Sequence, residues 1–347
     1  SDFINNKLGP SIKEKPKAFF RYISNLRQDT TGIQQLSDDK SALKSSSQEK
    51  ADILNKQFQS VFTTEPAESA MPNILPSQFL PMENIEIHIQ GVEKLLRNID
   101  LSKATGPDGI QAIILKETAT EISAVLTHIF TQSIRSGTLP HDWKEANISP
   151  VFKKGDKTKP ENYRPISLTS IACKILEHIV VSTIMKHLDN NNILSSCQHG
   201  FRRNHSCETQ LILTSQDIAR AYTHKKQMDM ILLDFSKAFD KVPHNRLLLK
   251  LNHYGIQGQT LSWIKAFLNG RTQSVVLEGA KSEAVPVISG VPQGTVLGPT
   301  LFLLYINDLP LQVSSSTTRL FADDCIVYRE IDSPADAKLL QHDLDAL

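Results

Sequence analysis

Three carboxylates at the ends of apolar runs constrain this chain more than any other feature. Met228-Asp229-Met230-Ile231-Leu232-Leu233-Asp234 is a short apolar run ending on an acid, and Leu320-Phe321-Ala322-Asp323-Asp324-Cys325-Ile326-Val327 places two acids between apolar runs. The first reads as a buried strand with its acid at the exit, and Arg319–Arg329 reads as strand, tight turn, strand. Ionised acids at the ends of buried strands are costly unless paired or bound to metal. Hard oxygen donors without nearby His or Cys suit Mg²⁺, which binds few carboxylates and fills its shell with water and substrate phosphates. Asp also favours turns, so Asp323-Asp324 taken alone reads equally well as a plain hairpin tip.

The rest of the chain narrows the setting. Its 347 residues are 40% hydrophobic and 22% charged, enough for a sizeable core and two or three packed subdomains. A net charge of +1 neither demands nor excludes nucleic acid, because an acidic exterior can cancel a basic groove in the sum. Cys173, Cys197, Cys207 and Cys325 form no C-x-x-C pair, which points to a reducing, intracellular compartment, nuclear or cytoplasmic, and against secretion. The longest apolar stretch, Val296–Leu311, is interrupted by Gly298, Pro299, Asn307, Asp308 and Pro310, so no membrane partner is expected.

Helices are expected where apolar residues recur at helical spacing: a segment after His88 carrying Ile89, Val92, Leu95, Leu96 and Ile99, then Thr120–Ser136, 170–188, 207–222, 244–253, 259–269, Leu297–Ile306 and Ala335–Leu347. Strands are expected over Ala146–Phe152, Thr272–Leu277 and Ala284–Ile288. Pro72, Pro76 and Pro81 mark a linker. The division expected is an N-terminal linker segment over 1–75, a middle part over 76–226 and a catalytic part over 227–347.

The short motifs around the acids carry a resemblance. Phe321-Ala322-Asp323-Asp324 looks like the aromatic-x-Asp-Asp box of reverse transcriptases, Met230–His244 is similar to that family's first palm motif, and Ser289–Pro299 resembles its second. Asn162–Leu168 and Gln198-His199-Gly200-Phe201-Arg202 resemble fingers motifs, and Lys103–Ile110 and Phe58–Thr63 fit the same series. These segments stand in family order over roughly residues 50–330, which a single short motif could not match by chance. The resemblance is to non-long-terminal-repeat (LINE-type) retrotransposons, near the jockey and chicken-repeat groups.

That resemblance implies an α+β right-hand polymerase: fingers over 76–226, and a palm over 227–347 with an antiparallel sheet and packed helices. The thumb is expected to be absent, the chain being read as a piece of a longer protein. It implies an RNA-directed DNA polymerase working on an RNA template, a DNA primer and dNTPs with two Mg²⁺ ions, Mn²⁺ being the substitute. Asp234 and Asp323 match the main metal ligands, Asp324 the third acid, and Phe235 a backbone-carbonyl ligand. Phe239, placed like the residue beneath the incoming sugar, would exclude a 2′-hydroxyl by shape, and it reads also as a core aromatic. Gln293 would pack beside template and nucleotide, with Gly290 and Gly294 letting backbone approach the nucleic acid closely, although Gly-Val-Pro-Gln-Gly is also a ready turn.

Arg164, with Lys153 or Lys154, would meet the triphosphate, since Arg grips phosphate in two-pronged fashion and Lys acts as a point charge. Arg202 and Arg203 would contact template or primer phosphate, with structural pairing to Asp or Glu as the alternative. Asp240 reads as a cap of the turn and following helix and not as a metal ligand. Cys197, His199, His205 and Cys207 have no common zinc spacing. The rival reading is a degenerate, non-catalytic retroelement remnant that only binds nucleic acid.

Overall fold

The computed structural model describes residues 32–65, 77 and 79–347. Pro72 and Pro76 of the expected linker lie outside the described residues, as do the first 31 residues of the N-terminal segment. In chain order the elements are β1 (Leu36–Ser37), β2 (Leu43–Lys44), α1 (Ser47–Ser60), α2 (Ile89–Arg97), α3 (Ala112–Glu117), α4 (Ala119–Ser136), β3 (Glu145–Phe152), β4 (Tyr163–Leu168), α5 (Ile171–Asn190) and α6 (Cys207–Thr223). Then follow β5 (Gln227–Asp234), α7 (His244–His253), α8 (Gly258–Leu268), β6 (Arg271–Leu277), β7 (Ala280–Lys281), β8 (Val285–Val287), α9 (Leu297–Ile306), β9 (Thr317–Phe321), β10 (Asp324–Ile331) and α10 (Pro334–Asp345). The fold is mixed helix and sheet. Among the described residues no helix is long and apolar enough to cross a membrane.

The chain divides into two compact units, each drawn from several stretches. Of the described residues the smaller takes in 32–58, Ile148–Pro165 and Ser274–Ala284. Its strand segments lie in the order β4-β3-β6-β7, and β6 turns into β7 through Leu277↔Ala280.

The larger unit holds the helical core. The central helix α5 buries Ile175, Leu176, Val180, Ile184 and Leu188, and Ser170 caps its start by accepting from the Cys173 amide at 3.4 Å. The helix α9 is apolar all round, buries Leu297, Leu301, Phe302, Leu303 and Leu304, and needs neighbours on every side. Trp263 and Phe267 of α8 and Phe130 of α4 fill the same core, with the Trp263 indole donating to Ser133 Oγ at 2.9 Å. Gly137 ends α4 in the left-handed region, as its sequence position predicts.

Beside this core the larger unit carries a three-stranded antiparallel sheet, order β5-β10-β9. Leu320, Cys325 and Val327 on one face pack with Leu340 of α10, joined by Ile231 and Leu233 of β5. Its opposite face carries Leu232, which is 71% exposed. The strand expected to be buried throughout is therefore buried on one face only. A continuous apolar run cannot distinguish the two cases, because burial of the second face depends on whether another layer covers it. The helix α3 and strand β4 also escaped the periodicity reading, each being too short to show a period.

Candidate active site

The register of the three-stranded sheet assembles the acids. β5 and β10 pair so that Asp234 stands directly opposite Asp324, a separation of about 4.5–5.5 Å between Cα atoms for such pairs. β9 and β10 form a hairpin closed by Phe321↔Asp324, which leaves Ala322 and Asp323 as its two-residue loop. Residues distant in sequence thus meet at one end of one sheet. Asp234 and Asp324 are exposed and Asp323 is half-buried. Among the described residues no three His, Cys, Asp or Glu side chains are already arranged as a metal-ligand set. The side-chain donors at this corner are nevertheless carboxylates, exposed on Asp234 and Asp324 and half-buried on Asp323. That chemistry fits a hard divalent ion.

The turn conformation is unusual. Ala322 has φ +54° while Asp323 is not in the positive-φ region, the pattern of a II′ turn, in which glycine is the ordinary first residue. An alanine there carries backbone strain.

Behind Asp234 the chain runs through half-buried Phe235 to Phe239. The Phe239 ring stacks on Phe302 of α9, centroids 4.2 Å apart and planes 14° apart, and meets Phe201 edge-on at 6.2 Å. Phe239 is therefore anchored as a core aromatic, and the edge-on neighbour Phe201 is itself 55% exposed.

Gln293 is held on both sides. Its side-chain Nε2 donates to Asp240 Oδ1 at 2.9 Å, and its carbonyl accepts from the Ser167 amide at 2.7 Å. Asp240 is 8% exposed, and burial pushes its carboxyl above the usual range, opposed by the Gln293 hydrogen bond and by Lys237. Asp240 does not cap the next helix: α7 starts after Pro243 with no side-chain cap, and the carboxylate orients Gln293 instead. No local spacing predicts this, because its partner lies in another loop.

The glycines of that loop serve the protein's own packing. A Cβ on Gly290 would come 2.7 Å from the Asp240 carbonyl oxygen, and one on Gly294 2.8 Å from that of Ser167. Both have positive φ, +87° and +100°. Whatever these glycines do toward a nucleic-acid strand, they also admit the chain's own backbone at Asp240 and Ser167.

A buried carboxylate that sequence reading missed also supports this loop. Glu177 of α5, fully buried, accepts from the amides of Val296 and Leu297 at 2.7 and 2.9 Å, closing the first turn of α9. Burial pushes its carboxyl above the usual range, against the two amides and the charge of Arg271. Its only signal in sequence is an acid on an otherwise apolar helix face.

The cations divide between units. Lys153, Lys154 and Arg164 all belong to the smaller unit and are exposed; the Lys153 amide donates to the Asn162 carbonyl at 2.9 Å. Asp234, Asp323, Asp324, Phe235, Phe239 and Gln293 belong to the larger, as do Arg202 and Arg203. Arg203 is exposed. Arg202 Nη1 donates to the carbonyls of Ser195 at 2.7 Å and Gln198 at 3.3 Å. It closes its own loop through carbonyls, a partner type that charge counting does not suggest. His199 and His205 stack edge-on at 4.8 Å, and His199 Nδ1 pairs with Thr209 Oγ1 at 2.9 Å.

The larger unit thus carries an antiparallel sheet with three acids at one end, a glutamine-bearing glycine loop and an anchored aromatic. Residues 152–346, more than half of the chain, match the family model described as reverse transcriptase (RNA-dependent DNA polymerase), and the chain belongs to that family. It is a reverse transcriptase domain of the LINE type, similar to proteins of non-long-terminal-repeat elements. It is 34% identical over 234 residues to a probable RNA-directed DNA polymerase from transposon X-element of Drosophila melanogaster, covering 66% of this chain and 26% of that protein. It is 30% identical over 250 residues to the RNA-directed DNA polymerase from mobile element jockey of the same fly, covering 72% of this chain and 27% of the relative. The chain thus spans about a quarter of the length of the curated relatives it matches.

Proposed function

We propose that this chain carries RNA-directed DNA synthesis, adding dNTPs to the 3′-hydroxyl of a DNA primer on an RNA template. The observation that supports it most is the register that sets Asp234 against Asp324 with Asp323 in the adjoining turn. In this reading the three carboxylates and the Phe235 carbonyl would hold two Mg²⁺ ions, or Mn²⁺ in their place. Bound there, such ions supply a lowered hydroxyl pKa and charge neutralisation at the leaving oxygen. The chain's own part is positioning. Gln293, oriented by Asp240, supports the template and incoming nucleotide. Phe239, anchored on Phe302, presents a fixed edge beneath the sugar and selects deoxynucleotides by shape. Arg164, with Lys153 or Lys154, meets the triphosphate, and Arg203 serves the nucleic-acid backbone. Arg202, committed to two carbonyls, supports that segment from within.

The deciding experiment is primer extension on an RNA template with dNTPs and Mg²⁺, wild type beside Asp323→Asn. Loss of incorporation by roughly three orders of magnitude is expected, at an unchanged thermal midpoint, as for removal of an essential electrostatic group. Undiminished incorporation by Asp323→Asn would overturn the assignment. Binding of RNA by a wild type that extends no primer would favour a non-catalytic remnant.

A further inference from the structure

The strained Ala322–Asp323 turn is gripped from outside its own hairpin. β9 is the edge strand of the β5-β10-β9 sheet, and residues 197–200 lie along its open side. The Leu320 amide donates to the Cys197 carbonyl and the His199 amide to the Leu320 carbonyl, both at 2.9 Å. This covers an edge that would otherwise present unpaired backbone groups. Gln198, between those two residues, is 2% exposed. Its Oε1 accepts from the Gly200 amide at 2.7 Å and from the Ala322 amide at 2.9 Å, and its Nε2 lies 3.4 Å from the Ala322 carbonyl oxygen. The orientation of the amide is fixed by this network, because a flipped group would set NH₂ against two N–H donors. Gly200 presses on the same residue: a Cβ there would overlap the Ala322 amide nitrogen and lie 3.0 Å from its Cα.

These contacts converge on a residue whose backbone would otherwise relax. Ala322, at φ +54°, occupies a region L-residues visit rarely, and such conformations persist only where the surroundings over-determine them. Ala322 directly precedes Asp323, so rotation about its backbone swings that carboxylate. We propose that Gln198 is a positioning residue for catalysis. By accepting both amides it holds the Ala322–Asp323 turn, and through it the Asp323 carboxylate, in register with Asp234 and Asp324. This inference rests on the polymerase reading for its catalytic consequence and on geometry alone for the clamp.

The test compares Gln198→Met, which keeps length but offers no acceptor for the two amides, with Gln198→Glu, which keeps both acceptances. Two measurements are made on the full chain. Single-nucleotide incorporation on a primed RNA template should show kcat reduced about 10- to 100-fold in Gln198→Met, with KM for dNTP within about threefold, the split of a misplaced reacting group. Gln198→Glu should recover most of that loss. Hydrogen exchange of the peptide over 318–326, followed by mass spectrometry, should be faster in Gln198→Met at an unchanged thermal midpoint.

A Gln198→Met protein with wild-type kcat, or with wild-type exchange over 318–326, overturns the proposal. So does a loss confined to KM. Should the Met variant fail to fold, Gln198→Asn, one methylene too short to reach the turn, carries the same two readouts. A wild-type chain that extends no primer sinks the polymerase reading instead, and the exchange measurement still decides the clamp.

Discussion

Two hairpins in this molecule have loops of the same length and stabilise them in opposite ways. In the smaller unit β6 turns into β7 through Glu278-Gly279, at φ +50° and +83°, the double left-handed pattern of a I′ turn. Its second residue is glycine, and the carboxylate of its first accepts from Lys50 Nζ at 3.3 Å and from Ser47 Oγ. The hairpin of β9 and β10 turns through Ala322-Asp323 with no glycine, and Gln198 from a distant segment grips its backbone. The first hairpin uses its own acid as an anchor. In the second, an external side chain takes over that anchoring through backbone groups.

The sharpest way to break this contrast is Gly200→Ala. The added methyl would press on the backbone and Cβ of Ala322, so either the 197–200 segment or the Ala322–Asp323 turn must move. Overpacking of this kind costs about 1–3 kcal/mol, and displacement of the acid should lower incorporation by about 100-fold. Thermal melting and primer extension read the two effects. Wild-type values in both would mean that the 197–200 segment yields easily and does not hold the turn. Gly279→Ala probes the other hairpin. Its added Cβ meets nothing within 4 Å, so only the φ of +83° is penalised. Stability should fall by about 1 kcal/mol, seen as a lowered midpoint, while incorporation stays at the wild-type rate. A matching loss of incorporation would show that the β6–β7 turn is not merely structural.

The same contrast marks what was legible in the sequence. Periodicity located the long helices to within a residue or two, as in Cys207–Thr223 against the expected 207–222 and His244–His253 against 244–253. It located the two acid-bearing strands as well, because amphipathic and apolar runs are local properties of the chain. The acids themselves stood out as charges at the ends of such runs. The residues that hold the site did not. Gln198, Asp240 and Glu177 are polar groups whose partners lie far away in sequence, at Ala322, Gln293 and Val296. Around Gln198 and Asp240 nothing local tells a buried acceptor from a solvated one, and Glu177 shows only as an acid on an otherwise apolar helix face. The positive φ of Ala322 was equally invisible, since alanine is not a residue that turn chemistry nominates.

The smallest effect, Ala322→Gly, separates strain from function. Glycine removes the Cβ penalty at φ +54°, but it frees the unfolded chain and gives up the contact of a side chain 5% exposed. These terms oppose one another, so the midpoint should move by less than the equivalent of about 1 kcal/mol. If Gln198 alone sets the turn, incorporation by Ala322→Gly should fall no more than a few-fold, since its amide and both hydrogen bonds remain. In the double variant Ala322→Gly with Gln198→Met, the loss should exceed the product of the single losses, because a glycine turn without its clamp has neither steric nor hydrogen-bonded definition. Losses that merely multiply would mean that Ala322 and Gln198 act independently, and that the alanine at this turn owes nothing to the side chain beside it.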